Sequence, residues 1–353
     1  MSSPLVSVVI VNYNGEKFLE ECLLSVFNQS YKKIEIVVLD NNSTDNSVHL
    51  LKEYSARINL ITSKENLGFA RGNNVAIRKC SGKYVALLNN DAVARPDWLE
   101  KVVAIMEGNP ALGSAACKII SYNNRSVMDS AGLLLTNDGM SRGKGREEGV
   151  DSFNETREIL IPSGCAAIYR KKALDEVGLF DEDFFCYCED TDLGLRLQLF
   201  GWRCIFVADS IVYHRYSETA GKFSPFKAYL VERNHFWVVM KNYPGYLLWL
   251  NPFFTIKRYI FQIKSLLKNE GTTAELARDV SIFKIIQIML KSHIDTWKNI
   301  IPMMNKRKFI QKNKVIKVKQ FKEWLNLYGV SLKDLFRERS HPAQAINDKK
   351  FGA

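Results

Sequence analysis

VSVVIVNYNG at residues 6–15 decides the fold, because a run dominated by β-branched residues ends abruptly in polar ones. Three more apolar runs follow it, at Ile34–Leu39, Ile58–Ile61 and Tyr84–Leu88. Runs without polar alternation are typical of strands buried on both faces of a parallel sheet. Segments with helical spacing separate them, at Phe18–Phe27, Ser43–Tyr54 and Phe69–Cys80. The repeated unit predicts a Rossmann-like, mostly parallel α/β sheet with flanking helices and a ligand site at the carboxyl ends of the strands.

The chain changes character near residue 222. Its 353 residues are 46% hydrophobic, which excludes a disordered polymer and is enough for a large buried core. The formal charge of +11 is uneven, since residues 221–353 hold 25 basic and 9 acidic side chains. We therefore predict an α/β domain over 1–222 and a mainly helical, basic, membrane-associating region over 223–353. Within the first domain, the Gly-rich and charged stretch Leu133–Glu158 predicts a mobile loop or an excursion from the core.

Cysteine usage and hydropathy indicate a compartment. The seven cysteines are odd in number and contain no CxxC pair, which predicts reduced thiols. The N-terminus lacks the basic segment and cleavage site of a secretory signal, and the apolar window 236–256 is interrupted by Lys, Asn and Pro residues. We expect a cytoplasmic protein, peripheral on the inner face of the cell membrane.

Polar side chains follow three of the predicted strands. Tyr13 and Asn14 follow the first, Asp40 ends the second, and Asn89-Asn90-Asp91 ends the fourth. A strand-end carboxylate such as Asp40 can accept a hydrogen bond from a ribose hydroxyl or a base N–H, although a helix cap explains it equally well. Asp91 suits Mg²⁺ or Mn²⁺ shared with phosphates, and the isolated His214 is the candidate second ligand.

Two further segments carry candidate site residues. KENLGFARGNN places Asn66, Gly68 and Asn74 at a strand-to-helix junction, where glycine lets backbone amides approach a phosphate. An ordinary loop and cap is the alternative. The acidic segment FDEDFFCYCEDTDLGLRL puts Glu189 and Asp190 in the first turn of a helix, where the helix dipole alone could explain them. Neighbouring aromatics favour a general base instead, because burial raises the pKa of a carboxyl.

In order and spacing, these blocks together resemble the family 2 glycosyltransferases with the GT-A fold. The resemblance covers residues 5–240 and is nearest to bacterial rhamnosyltransferases of polysaccharide assembly. It implies an inverting, metal-dependent transfer of a sugar from a nucleotide-diphosphate donor, with dTDP-rhamnose as a candidate, onto a lipid-linked glycan.

The resemblance also assigns roles to residues. Asp190, the second residue of the Glu189-Asp190 pair, would be the catalytic base. Asp91 would hold the metal, Mg²⁺ or Mn²⁺, with His214, as the last residue of the family's Asp-x-Asp motif. Asn89 stands at the first position of that motif, which departs from the family and lowers the expected metal affinity. The residues expected to bind the donor are Tyr13, Asn14, Asp40, Asn66, Gly68, Asn74 and Asn89.

The C-terminal region predicts partners. Its aromatics Trp237, Tyr246, Trp249 and Tyr259 and the eight cations within 306–322 suit an anionic membrane surface. That location would serve a lipid-linked saccharide acceptor. Nucleic acid ranks lower because the cations lie apart from the catalytic domain, and an oligomer interface remains the alternative explanation of residues 226–330. The alternative functions are a nucleotidyltransferase and a catalytically weak transferase-like scaffold at the membrane.

Overall fold

The structure is a computed structural model that describes residues 3–215 and 224–336. Its strands are β1 Val6–Asn12, β2 Ile34–Asp40, β3 Asn59–Thr62, β4 Tyr84–Leu87, β5 Ala92–Ala94, β6 Leu112–Ser121, β7 Met128–Ser130, β8 Leu133–Leu135, β9 Ser141–Gly143, β10 Arg157–Ile159, β11 Ile168–Arg170 and β12 Arg203–His214. Its helices are α1 Glu16–Phe27, α2 Ser47–Glu53, α3 Gly68–Ile77, α4 Trp98–Gly108, α5 Lys171–Val177, α6 Glu189–Leu199, α7 Pro225–Asn242, α8 Gly245–Leu267, α9 Gly271–Asp279, α10 Ile282–Lys298, α11 Ile300–Asn313, α12 Val318–Leu327 and α13 Leu332–Leu335.

The main sheet confirms the predicted α/β class. Its strand order is β10-β12-β6-β11-β4-β1-β2-β3, and β4, β1, β2 and β3 are parallel to one another. β6 and β12 are also parallel, whereas β11 is antiparallel between β6 and β4. Val8 lies in the core on one side of the sheet and Val9 in the core on the other. Burial on both faces is the reason why β1 needs no polar alternation.

Two local predictions in the α/β domain were wrong. Helix α2 begins at Ser47 and not at Ser43, because the Ser43 hydroxyl is used in the loop, where it accepts the N–H of Asn14. The first half of the Gly-rich stretch, residues 133–143, is not a mobile loop but forms the hairpin β8–β9, whose connecting residue Asp138 is buried and ion-paired to Arg258 at 2.6 Å. Arg258 belongs to α8, so this helix pairs with the charged Asp138 of the hairpin inside the fold.

The C-terminal region is helical, as predicted, and packs onto the sheet domain through α7. Trp237 and Val238 of α7 share a core with Leu195 and Leu199 of α6. The predicted boundary between residues 222 and 223 lies outside the described residues and stays a prediction. Across the described ranges, no helix combines the length and the apolar character that crossing a membrane would require.

The exposed apolar surface of this region differs from the one predicted. Trp237 is buried, and the Tyr259 hydroxyl is 2.7 Å from His293. Two helices instead carry exposed apolar stripes at helical spacing. The α8 stripe is Trp249, Phe253, Ile256, Ile260, Ile263 and Leu267, and the α10 stripe is Phe283, Ile286, Leu290, Ile294 and Trp297. Of the predicted aromatics, Trp249 is exposed. A sequence pattern shows which residues share a helix face but not which face another element covers, which is why Trp237 and Tyr259 were misplaced.

Candidate active site

The carboxyl ends of β1, β2 and β4 meet at one edge of the sheet, and Asn12 joins them. Its Nδ2 donates to Asp40 Oδ1 at 3.1 Å, and its Oδ1 accepts from Asn90 Nδ2 at 2.9 Å. Gly15 is required beside this pair, because a Cβ there would lie 2.2 Å from Asn90 Nδ2. Sequence reasoning missed Asn12, although its place at the end of a buried strand was a signal.

The candidate residues for base recognition surround this network. The Tyr13 ring is 39% exposed at the end of β1. Asn14 has a left-handed backbone with φ +50, and its Oδ1 accepts the N–H of Thr44 at 2.8 Å. Asp40 Oδ2 accepts the N–H of Ser43 at 3.1 Å, so this carboxylate stabilises the turn after β2. Asp40 therefore stabilises a turn and does not cap α2, which begins at Ser47, and its carboxylate lies at the same edge as Tyr13.

A second wall is formed by the loop before α3. Asn66 Oδ1 accepts the N–H of Gly68 at 2.9 Å and the Nδ2 of Asn41 at 3.0 Å, which fixes the loop to the residue after β2. Gly68 has φ +72, and a Cβ there would lie 2.5 Å from the carbonyl oxygen of Phe185. Only glycine allows this close approach between α3 and the loop before α6.

Asn74 lies deeper in the protein than Asn66 and Gly68. It is about 9 Å further along α3, given the helical rise per residue. Its Nδ2 donates to the Phe180 carbonyl at 2.8 Å, and its Oδ1 accepts the Phe180 N–H at 3.0 Å. The structure thus separates Asn74 from the other proposed donor-binding residues and uses its amide to support the loop before α6.

Asp91 and His214 meet through strand pairing. Residue Ala92 of β5 is the register partner of His214 in β12, which brings His214 Nε2 to 3.3 Å from Asp91 Oδ1. On the other side of the ring, His214 Nδ1 is 2.6 Å from Asp129 Oδ2 of β7. Burial alone would raise the pKa of the Asp129 carboxyl, but the nearby Arg146 and His214 outweigh it and lower that pKa. Sequence reasoning missed Asp129, since only the pairing of β7 with β6 brings it here.

Asp91 and His214 are the residues here that could hold a cation. Asp91 Oδ1 is buried and faces His214 Nε2 at 3.3 Å. The contact of Asp129 with Nδ1 orients the ring so that Nε2 faces Asp91, which is the usual arrangement behind a metal-ligating histidine. Within residues 3–215 and 224–336, no group of three or more His, Cys, Asp or Glu side chains could hold a metal ion. Asp91 and His214 could supply two ligands, and a cation bound to them would need its other ligands from substrate oxygens and water.

Asp190 and the Asp91–His214 pair both approach the chain segment Gly164–Cys165. Its Oδ2 accepts the N–H of Gly164 at 3.0 Å, while the next residue, Cys165, accepts the N–H of Asn89 on its carbonyl at 2.9 Å. The buried Cys165 thiol interacts with His214. Since consecutive Cα atoms are about 3.8 Å apart, Asp190 and the Asp91–His214 pair border the same short segment of chain.

The carboxyls of the Glu189-Asp190 pair differ in environment. Burial raises the pKa of Asp190, although hydrogen bonds from Gly164 and Thr191 oppose the shift. Glu189 is more deeply buried, and its Oε2 has no hydrogen-bond partner in the described structure. Burial and the nearby Asp190 raise the pKa of Glu189 well above its usual value. A partly accessible carboxyl with a raised pKa suits a general base better than a fully enclosed one does.

The loop that leads into α6 is strained and held from α7. Phe185, Tyr187 and Cys188 all have positive φ, between +64 and +69. Such backbone costs free energy and persists only where neighbours enforce it. Asn234 Nδ2 lies within hydrogen-bonding distance of the carbonyl oxygens of Phe184, Cys186 and Tyr187, at 2.7–2.9 Å. This single amide ties the C-terminal region to the backbone that presents Asp190.

The sequence is similar to known glycosyltransferases. Residues 7–178 match the sequence model of glycosyl transferase family 2. An uncharacterized glycosyltransferase of Haemophilus influenzae is 41% identical over 117 residues, which are 31% of this chain and 36% of that protein. The O-antigen biosynthesis protein RfbC of Myxococcus xanthus is 27% identical over 264 residues, 71% of this chain and 20% of that protein. The chain thus spans about a third or less of these relatives.

A solved structure gives the fold. The mannosyltransferase PcManGT from Pyrobaculum calidifontis, in complex with GDP-Man and Mn²⁺, aligns with a TM-score of 0.51 at 18% identity, over 88% of this chain and 87% of that chain. The mixed sheet with flanking helices is thus of the GT-A type. Residues 7–178 are thus a glycosyl transferase family 2 domain within this fold.

Proposed function

We propose that the protein is an inverting glycosyltransferase, which moves a sugar from a nucleotide-diphosphate donor onto a lipid-linked saccharide during polysaccharide synthesis. One observation carries this proposal. The Gly164 N–H donates to Asp190 Oδ2 at 3.0 Å, and the carbonyl of the next residue, Cys165, accepts the N–H of Asn89, two residues before Asp91, at 2.9 Å. A displacement reaction needs these two kinds of group at one centre, one for the incoming hydroxyl and one for the departing diphosphate.

The proposed donor site lies along the strand ends. Tyr13 would stack on the base, Asp40 would accept from the base or ribose, and the backbone around Gly68 would approach the diphosphate. Asp91 and His214 would hold Mg²⁺ or Mn²⁺. The chemistry that such a cation supplies when bound is neutralisation of the charge that develops on a leaving diphosphate. A nucleotide-sugar donor is supported by PcManGT, a protein of similar fold that was crystallised with GDP-Man and Mn²⁺.

In the proposed reaction, Asp190 accepts the proton of an acceptor hydroxyl. The acceptor oxygen forms a bond to the anomeric carbon while the bond from that carbon to the diphosphate oxygen breaks. The electron pair of that bond leaves with the nucleoside diphosphate, and the configuration at the anomeric carbon is inverted. Two backbone N–H groups, of Gly164 and Thr191, fix the orientation of the carboxylate for this step.

The proposed location is the cytoplasmic face of the membrane, held by the exposed stripes of α8 and α10. Trp249 is 87% exposed and Phe253 63%, and apolar faces of this extent mark interaction surfaces. Basic residues near them would add attraction to anionic lipid, about 1 kcal/mol each near the surface. Pelleting with phosphatidylglycerol vesicles at low salt tests this part, and failure to pellet would reject it.

Transfer itself is tested by product release. The protein is incubated with Mn²⁺ and a panel of nucleotide sugars that includes dTDP-rhamnose, and the released nucleotide is separated by chromatography. Nucleoside diphosphate release from one donor is expected. Release of pyrophosphate would indicate a nucleotidyltransferase, and the absence of release from every donor would indicate a scaffold without activity.

A further inference from the structure

A cleft of about 810 Å³ lies between the sheet domain and helices α7–α10. This volume is within the range of about 300–1,000 Å³ that is typical of small-molecule sites. Asp129 and Arg142 line it from the side of β7 and β9, and Leu266, Ile285 and Met289 line it from α8 and α10. None of the roles proposed above for donor, metal or base explains a cavity in this place.

The two walls of the cleft differ in chemistry. On the sheet side, Arg146 is paired with Asp129 at 2.9 Å, and Arg142 lies 3.6 Å from Glu147. Carboxylates and guanidinium groups together can accept from and donate to the hydroxyls of a saccharide. On the helix side the wall is mostly aliphatic. A ligand that fills the cleft therefore has a polar part and a hydrocarbon part.

The polar wall is continuous with the active site. Asp129 lines the cleft, and its Oδ2 is the atom 2.6 Å from His214 Nδ1. Met140 lines it as well, and its neighbour Ser141 has its hydroxyl 2.9 Å from that of Thr191, the residue after Asp190. The cleft is thus linked to the proposed metal ligand His214 through Asp129, and to the proposed base through Ser141 and Thr191.

The aliphatic wall is continuous with the exposed stripes. Ile263, Ile286 and Leu290 line the cleft and are also 51–58% exposed. They belong to the stripes of α8 and α10 defined above. A hydrocarbon chain can therefore pass from an apolar phase that covers the stripes into the cleft while it remains in apolar contact, which avoids the cost of exposing it to water.

From these three features we infer that the cleft binds the prenyl chain of the lipid-linked acceptor and directs its saccharide toward Asp190. This inference rests on the proposed function, because it assumes that the acceptor is lipid-linked. A phospholipid acyl chain would use the aliphatic wall alone. A second copy of the chain would cover the stripes and would not need the cavity.

The test uses photolabelling of the full chain with farnesyl phosphate that carries a diazirine on its terminal isoprene unit. The label is added in detergent micelles, and the modified peptides are mapped by mass spectrometry. Labelling of cleft residues between 263 and 290 is expected, with at least a fivefold reduction by excess unlabelled farnesyl phosphate and none by phosphatidylglycerol. Equal competition by phosphatidylglycerol, or labels confined to stripe residues outside the cleft, would overturn the inference.

A matched pair of variants on α10 adds a control. Ile285→Trp fills the cleft, whereas Ile294→Trp places the same ring on the exposed stripe outside it. At least a fivefold loss of cleft labelling is expected for Ile285→Trp only, and equal labelling of both variants would contradict the inference. Met289→Trp replaces Ile285→Trp if thermal unfolding shows that the latter is not folded.

The labelling reports binding without turnover, so the two proposals can fail separately. Absent cleft labelling in a protein that releases nucleoside diphosphate rejects the cleft inference alone. Specific cleft labelling in a protein that releases no nucleotide from any donor rejects the transfer reaction, and leaves a prenyl-phosphate-binding protein.

Discussion

The change Asp190→Asn tests the proposed base with little change in shape. The carboxylate accepts the Gly164 N–H at 3.0 Å and the Thr191 N–H at 2.7 Å. An asparagine keeps one acceptor oxygen and turns an NH₂ toward the other N–H, so about one hydrogen bond is lost. That loss costs about 1 kcal/mol, partly offset because a carboxylate no longer has to be buried. We expect the variant to fold and to bind donor.

Turnover should fall much further than stability. A positioned general base contributes about 10²–10⁴-fold, which corresponds to about 2.7–5.4 kcal/mol of activation free energy. The assay measures nucleoside diphosphate release with the wild-type donor and Mn²⁺, and donor affinity is measured by calorimetry on the same sample. The matched control is Asp183→Asn, an exposed carboxylate earlier in the same segment, which should keep wild-type turnover.

The outcome has a clear threshold. If folded Asp190→Asn binds donor and retains more than a tenth of wild-type turnover, Asp190 is not the base. If donor affinity falls together with turnover, the carboxylate contributes to binding and the separation of roles proposed here is wrong.

Three further predictions follow from the site. Asn234→Ala removes the amide that contacts three loop carbonyls, so we expect the unfolding free energy to fall by about 2–3 kcal/mol. We also expect kcat to fall more than donor affinity. An unchanged kcat would show that Asn234 does not position Asp190. Asp91→Ala should abolish the extra thermal stabilisation that Mn²⁺ adds to nucleoside diphosphate, and an unchanged Mn²⁺ shift would exclude this ligand. Because burial raises the pKa of Asp190 and the base must be ionised, kcat/KM should fall with decreasing pH at a pKa above that of an exposed aspartate; a fall only at the ordinary value would refute this environment.

Much of the fold could be predicted because its signals are local. Continuous β-branched runs gave the strands of the parallel half, and a polar residue at the end of such a run is placed at the ligand edge by topology alone. This is why Asp40 and Asp91 could be proposed from their segments. The first turn of α6 was equally readable, since carboxylates cluster there within four residues.

The remaining parts of the site depend on contacts between distant segments. Asp129 reaches His214 over 85 positions, and the Gly164 N–H reaches Asp190 over 26. No local pattern marks either residue. The hairpin predicted as a loop fails for the same reason, because its buried Asp138 is stable only beside Arg258 of a helix 120 positions later. The long-range ion pair between Asp138 and Arg258 allows this loop-like sequence to pack inside the fold.

The central claim is tested most directly by the anomeric configuration of the sugar that slow donor hydrolysis releases. In this reaction water takes the place of the unknown acceptor. Proton NMR would follow the wild-type protein with Mn²⁺ and the preferred donor, and record the anomeric signal before mutarotation. Asp190 opposite the departing diphosphate predicts that the free sugar first appears with the configuration opposite to that of the donor. First appearance with the donor's own configuration would contradict the single-displacement account.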